Sequence, residues 1–334
     1  MAKIFRDIND QKQYLEQTKN VLDKDNKTIS LLNERAYVSV INPYKKLFSS
    51  GFNINREHIY PKSITVDDYI SLCRLDDQIS KNLHALIGIF ERKLKNVIAN
   101  ILCKHMYDLG DEYSISYIEY FQSLIRTAKI VDSVDNVQFL GLNSLKYFYT
   151  KDSLRFMNEQ YDRLKVDYRQ KLLEYIVEIG NNVTTAKNSI VRFYQNKRET
   201  VPFWLLIHEM SFGEISEIYR LMSPNLRQLV YRQFENDDGS PRKYYKFERD
   251  LEFITKIRNT VNHYESFIVM LDIADPMYES TRDAIQRLIR FSKKSFIGYE
   301  KTPIDFTFKS SIINTDYNQK YRDRIENIAK LICQ

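Results

Sequence analysis

The stretch best equipped for chemistry is Lys256-Ile-Arg258-Asn259-Thr-Val-Asn262-His263-Tyr264. A guanidinium that stays protonated stands five residues before an imidazole that can gain or lose a proton near neutral pH. That pair suits the cleavage of a phosphodiester. Arg258 would stabilise negative charge on the non-bridging oxygens as the transition state forms, and His263 would move a proton on or off the 2′- or 5′-oxygen. The ribose 2′-hydroxyl supplies the nucleophile, so the substrate is RNA, and neither a metal nor another cofactor is required. On a helix, residues four apart lie about 40° apart, which pairs Arg258 with Asn262 and Asn259 with His263, while Arg258 and His263 diverge by about 140° and flank a groove. None of the other histidines (His58, His84, His105, His208) has an arginine five to seven residues before it. The rival reading is a polar network that only fixes helix register, with Arg258 paired to Glu91 and His263 capping a backbone carbonyl.

Other chemistries find less support. There is no GxGxxG, GxxxxGK[ST] or GxSxG, so no glycine loop cradles a phosphate and no nucleophile elbow is present. The five histidines form neither HExxH nor HxH, and Cys73, Cys103 and Cys333 are too far apart for a zinc pattern or a disulfide scaffold. No metal site is expected, and the sparse cysteines point to a reducing cytoplasm. With no apolar run long enough to span a bilayer, no membrane association is expected.

The elements that must position the motif are helices. Glycine and proline number 8 and 7 of 334 residues, well under the roughly 12% of average proteins, which leaves few tight turns for hairpins. Leu83, Leu86, Ile87, Phe90, Leu94, Val97, Ile98, Ile101 and Leu102 recur three and four apart on a helix predicted from about Thr65–Asp68 to Met106. Ser211-Phe-Gly-Glu214 fits a capping box, Ser223-Pro224 a helix start, and Ser240-Pro241 another that launches a motif helix near 242–270, with Phe247, Leu251, Ile254, Val261 and Ile268 on its buried side. Residues 37–44 read as a short strand or a helix end. Residues 109–150 read as an irregular insertion, and 153–179 as a further helix. Pro202 to Ile207 is apolar throughout, so Trp204 and Phe212 read as core anchors. Overall the chain reads as one mostly α domain.

Lysine and arginine exceed aspartate and glutamate by 50 to 44, a modest surplus compatible with a polyanion. Basic residues interleave with aromatics at Arg192–Arg198, Arg242–Lys246 and Arg290–Lys294. The second of these, with Arg242, Lys243 and Lys246, lies just upstream of the motif and is the best placed to bind RNA phosphates.

Arg258-Asn259-x-x-Asn262-His263 resembles the R-x(4–6)-H signature of HEPN ribonucleases. The wider sequence is similar to Abi-like abortive-infection proteins of the AbiD/AbiF type, through Tyr37-Val-Ser-Val-Ile-Asn-Pro-Tyr-Lys-Lys-Leu-Phe48, the helix from Leu75-Asp-Asp77 to Phe90-Glu-Arg-Lys-Leu94, Val201-Pro-Phe-Trp-Leu-Leu206 and Ser211-Phe-Gly213. The resemblance implies a helical bundle of HEPN type with additional helices, acting as an antiphage endoribonuclease in a homodimer that brings two motifs together. It also implies Arg258 and His263 as catalytic, Asn259 orienting the arginine or the phosphate, Asn262 in support, and Glu91 as an acidic residue facing the motif. A small structured non-coding RNA is a further partner in some such systems. The alternative is a non-catalytic protein that holds such an RNA; a third is a toxin that acts through protein contacts.

Overall fold

Thr65 and Asp68 set the start of the long helix that carries much of the core. The Asp68 carboxylate accepts from the Thr65 backbone N–H and from its hydroxyl, both at 2.8 Å, which fills orphan positions of a helix end and places negative charge at the positive end of the dipole. The helix runs Val66–Asp108. Of its expected stripe, Leu83, Leu86, Ile87, Phe90, Leu94, Ile98 and Leu102 are buried, with Val97 and Ile101 half-buried at the edge.

This computed structural model describes residues 6–54, 56–114, 117, 189–197, 200–235, 243–263, 265–274, 277–293 and 315–333. In chain order the helices are α1 (Ile8–Gln13), continued by a π-helical turn at Tyr14–Thr18, α2 (Lys27–Glu34), α3 (Tyr37–Val40), α4 (Lys45–Phe48), α5 (Val66–Asp108), α6 (Ser189–Asn196), α7 (Phe203–Leu206), α8 (Phe212–Leu221), α9 (Pro224–Arg232), α10 (Lys243–Asn262), α11 (Tyr278–Lys293) and α12 (Asp316–Cys333). A two-residue antiparallel pair, β1 (Gly51–Phe52) and β2 (His58–Ile59), sets Gly51 opposite Ile59. The fold is mostly α. Residues 37–44, open between strand and helix, form α3 and a following turn that contains Pro43, where a missing N–H does least harm. Most of the segment near 109–150, the helix expected over 153–179 and the Ser240-Pro241 cap lie outside the described residues.

Two compact units divide the chain: Met1–Ile89 with Phe253–Gln334, and Phe90–Glu252. In the first, Leu75, Ile79 and Leu83 of α5, Ile254 and Ile257 of α10, Ile285 and Leu288 of α11, and Ile325, Ile328 and Ile332 of α12 are fully buried. α12 packs against α4 and α11, and its Asn318 side chain donates to the Leu47 carbonyl. Asp272 ties these elements together. Its carboxylate accepts from Lys46 at 2.8 Å, from the Tyr317 hydroxyl and from the Ala274 N–H at 2.9 Å, while Arg324 donates to its carbonyl at 2.8 Å. Burial pushes the Asp272 carboxyl up, but these donors, led by Lys46, outweigh it and hold it below its ordinary value.

In the second unit, the Phe90 ring meets Phe212 at 6.0 Å and Phe234 at 5.2 Å, and Phe247 meets Phe234 at 5.2 Å and Tyr219 at 5.3 Å, separations at which aromatic pairs are attractive. Helix starts follow the capping rules: Ser211 and Glu214 form the reciprocal capping box of α8, and Ser223 caps α9 with Pro224 in its first turn. Phe212 is fully buried, but Trp204 is 48% exposed, which corrects its reading as a core anchor. On a helix of four residues, Phe203, Leu205 and Leu206 take the inward positions, and Trp204 is left on the outer side.

Candidate functional site

The apolar spacing of α10 decides which side of it faces outward. Phe247, Leu251, Ile254, Ile257 and Val261 are buried, with Asp250 and Phe253 buried beside them, and the polar motif residues between Ile257 and the helix end lie off that stripe. Arg258 and Asn262 are half-buried, and Asn259 and His263 are exposed. Arg258 Nη1 donates to Asn259 Oδ1 at 3.5 Å, a long contact that leaves most of the guanidinium fork for other acceptors.

The helix ends where the motif ends. The His263 N–H closes the last turn on the Asn259 carbonyl at 3.0 Å, and the Glu265 N–H reaches the Thr260 carbonyl at 3.1 Å. Phe267–Leu271 then forms a separate 3₁₀ turn. Ile268, expected on the helix, belongs to this turn instead, because its N–H is taken by a side chain rather than by a helical carbonyl. The acceptor is Asp76 Oδ1 at 3.0 Å, and the Tyr321 hydroxyl donates to the Ile268 carbonyl at 2.9 Å.

Asp76 is almost completely buried, with the Tyr44 hydroxyl 3.2 Å from its second oxygen. Burial pushes its carboxyl up to about 6, against the opposing pull of the nearby Ser266 hydroxyl and of hydrogen bonds from the Ile268 N–H and Tyr44. The exit of the motif helix is therefore pinned to α5 by a carboxyl whose charge is costly to keep.

About two turns beyond Asp76, α5 brings a second imidazole to the motif. His84 is exposed, and its Nδ1 lies 2.9 Å from Asn262 Oδ1 across 178 residues of sequence. Sequence reasoning missed His84, since no local pattern links it to the motif. Its one signal is position: it sits beside Leu83 at the border of the buried stripe of α5, where a side chain can reach a neighbouring helix.

The remaining expected residues that are described lie on other stretches of α5 and α10. Glu91 is half-buried on α5 and pairs with Lys95 at 3.0 Å. Lys243 opens α10 and Lys246 is exposed one turn later. Glu91, Lys243 and Lys246 belong to the second unit, and Arg242 lies outside the described residues. Among the described residues no three His, Cys, Asp or Glu side chains cluster closely enough to hold a metal ion, and no helix is long and apolar enough to cross a membrane.

Fold and motif together define a mostly α protein that presents arginine, asparagine and histidine at the open end of a helix packed on its other side. Residues 30–268 match the Abi-like protein family, and the chain belongs to that family. The match runs from within α2 to the 3₁₀ turn and so includes the whole motif. No curated protein matches the chain, and no solved structure does.

Proposed function

We propose that this Abi-like protein is a metal-independent endoribonuclease of HEPN type, acting as an abortive-infection effector that cleaves RNA by attack of the 2′-hydroxyl on the adjacent phosphate. The observation that carries the reading is the pairing of a half-buried Arg258 with an exposed His263 at the end of α10. A partly desolvated guanidinium interacts more strongly with a developing phosphorane charge, and an exposed imidazole can exchange protons with substrate and solvent. Asn259, within reach of Arg258, holds the guanidinium or a phosphate oxygen. Asn262 and Glu91 are supporting residues, and Arg242, Lys243 and Lys246 track the RNA backbone. Two copies form a homodimer in the cytoplasm, and a small structured RNA serves as a regulatory partner. Family membership supports the abortive-infection role.

The test compares purified wild type, Arg258→Ala and His263→Ala on RNA with and without EDTA. Wild type should cut in chelator and leave 2′,3′-cyclic phosphate ends, and each variant should lose about 10²-fold or more. Equal cutting by wild type and His263→Ala, or cutting abolished by EDTA, would refute it. Tight, salt-sensitive binding of one structured RNA without turnover would instead favour the non-catalytic role.

A further inference from the structure

Asn262 Oδ1 can only accept a hydrogen bond, so the 2.9 Å contact requires the hydrogen on Nδ1 of His84. The neutral ring then carries its lone pair on Nε2, and the side chain is exposed. An amide that fixes the tautomer and orientation of an imidazole, leaving the other nitrogen free to take a proton, is the arrangement of a positioned general base. Arg258 stands four residues before Asn262, about 40° round the helix, so the guanidinium and the amide that holds His84 share one side of α10.

We infer that His84 is a further catalytic residue of this site, the general base, with Asn262 as its positioning residue. The inference rests on the ribonuclease reading above. His84 Nε2 takes the proton from the 2′-hydroxyl as O2′ forms its bond to phosphorus. Arg258 stabilises the charge gathered on the non-bridging oxygens, and the P–O5′ bond breaks as protonated His263 gives its proton to O5′. The products are a 2′,3′-cyclic phosphate and a free 5′-hydroxyl. One proton enters the protein at His84 and one leaves from His263, so no metal, water or redox partner is needed in the step. The two imidazoles divide roles that a lone histidine would have to perform in turn, and Asn262 acquires a function distinct from that of Asn259.

The experiment uses the full chain and an oligoribonucleotide with a single scissile linkage, prepared with either the ordinary 5′-oxygen or a 5′-bridging sulfur. A thiolate leaves without a proton, so the sulfur substrate bypasses the acid but still needs the base. His84→Ala, and His84→Gln as a second variant, should cut both substrates about 10²-fold or more slowly than wild type. His263→Ala should be slow on the oxygen substrate and close to wild type on the sulfur one. Asn262→Leu should follow His84→Ala in direction, and Asn262→Asp, which keeps an acceptor for Nδ1–H, should restore most of the rate. A merely structural role for His84 would lower the rate on both substrates without changing its pH profile on the sulfur one, where loss of the base removes the plateau that wild type reaches. Wild-type rates for both His84 variants while His263→Ala fails on the oxygen substrate would overturn the base and leave the ribonuclease intact. Rescue of His84→Ala by sulfur would overturn it too, by making His84 the acid. RNA left uncut by wild type would overturn both readings together.

Discussion

Asp76 offers the most direct physical test of how the motif helix is anchored. Its carboxyl titrates near 6 in the folded chain, against an ordinary value of 3.8. Below 3.8 it is neutral in both states and has no effect on stability. Between the two values the unfolded chain has lost the proton and the folded chain keeps it, so stability falls as pH rises, and above 6 the full cost is present. At 1.36 kcal/mol for each factor of ten in proton affinity, that cost is about 3 kcal/mol, of which about 2 kcal/mol develops between pH 4.5 and 7.5. Asp76→Asn keeps an oxygen for the Ile268 N–H and an amide for the Tyr44 oxygen but cannot ionise. Urea unfolding of both proteins across that range should show the variant gaining on wild type by about 2 kcal/mol as pH rises. The comparison cancels carboxyls of the opposite sign, such as Asp23 and Asp272, whose lowered values stabilise at neutral pH and lose that effect on acidification. Unfolding midpoints that stay a constant distance apart from pH 4.5 to 7.5 would show that Asp76 does not carry its charge at this cost, and the anchoring argument would fall with it.

Asp272→Ala should lower stability by about 2 kcal/mol in thermal melts, because Lys46, Tyr317 and the Ala274 N–H lose a shared acceptor, with Lys46 recovering part of its hydration at its exposed end. Phe212→Ala should cost about 3–5 kcal/mol and Trp204→Ala far less, since one side chain fills the core and the other lies half outside it. Trp204 is the sole tryptophan, so intrinsic emission should be red-shifted and readily quenched by acrylamide in the native state. Ser211→Ala removes one half of the α8 capping box and should cost about 1 kcal/mol by urea titration.

Local rules in the sequence reach far into this fold. The start of α5 at Thr65–Asp68, the capping box at Ser211–Glu214 and the Ser223-Pro224 entry each depend on atoms within four residues of one another, and spacing alone marks the buried side of α10 as far as Val261. What escapes such reading depends on partners distant in the chain. Ile268 continues the apolar spacing of α10 yet leaves the helix, because a carboxylate 192 residues away takes its N–H. Trp204 carries the most apolar area in its segment, but a four-residue helix cannot turn every side chain inward. His84 has no neighbour in sequence that marks it, and only folding sets it against Asn262. The same holds for the motif itself: its residue types and spacing are visible in the chain, whereas the exposure of His263 and the half-burial of Arg258 follow from which side of the helix is packed.

The stretch shared with the family stops at Ile268, a residue whose carbonyl is held by Tyr321 from α12. Asn318 and Arg324 of the same helix hold the carbonyls of Leu47 and Asp272. A recombinant fragment trimmed to the homologous region would therefore strip the backbone oxygens of Leu47 and Ile268 of their donors, lose the Asp272 cluster altogether, and uncover the side on which Ile325, Ile328 and Ile332 pack. The boundary of common ancestry is not a boundary at which this polypeptide can be cut, and a minimal clone needs residues 316–333.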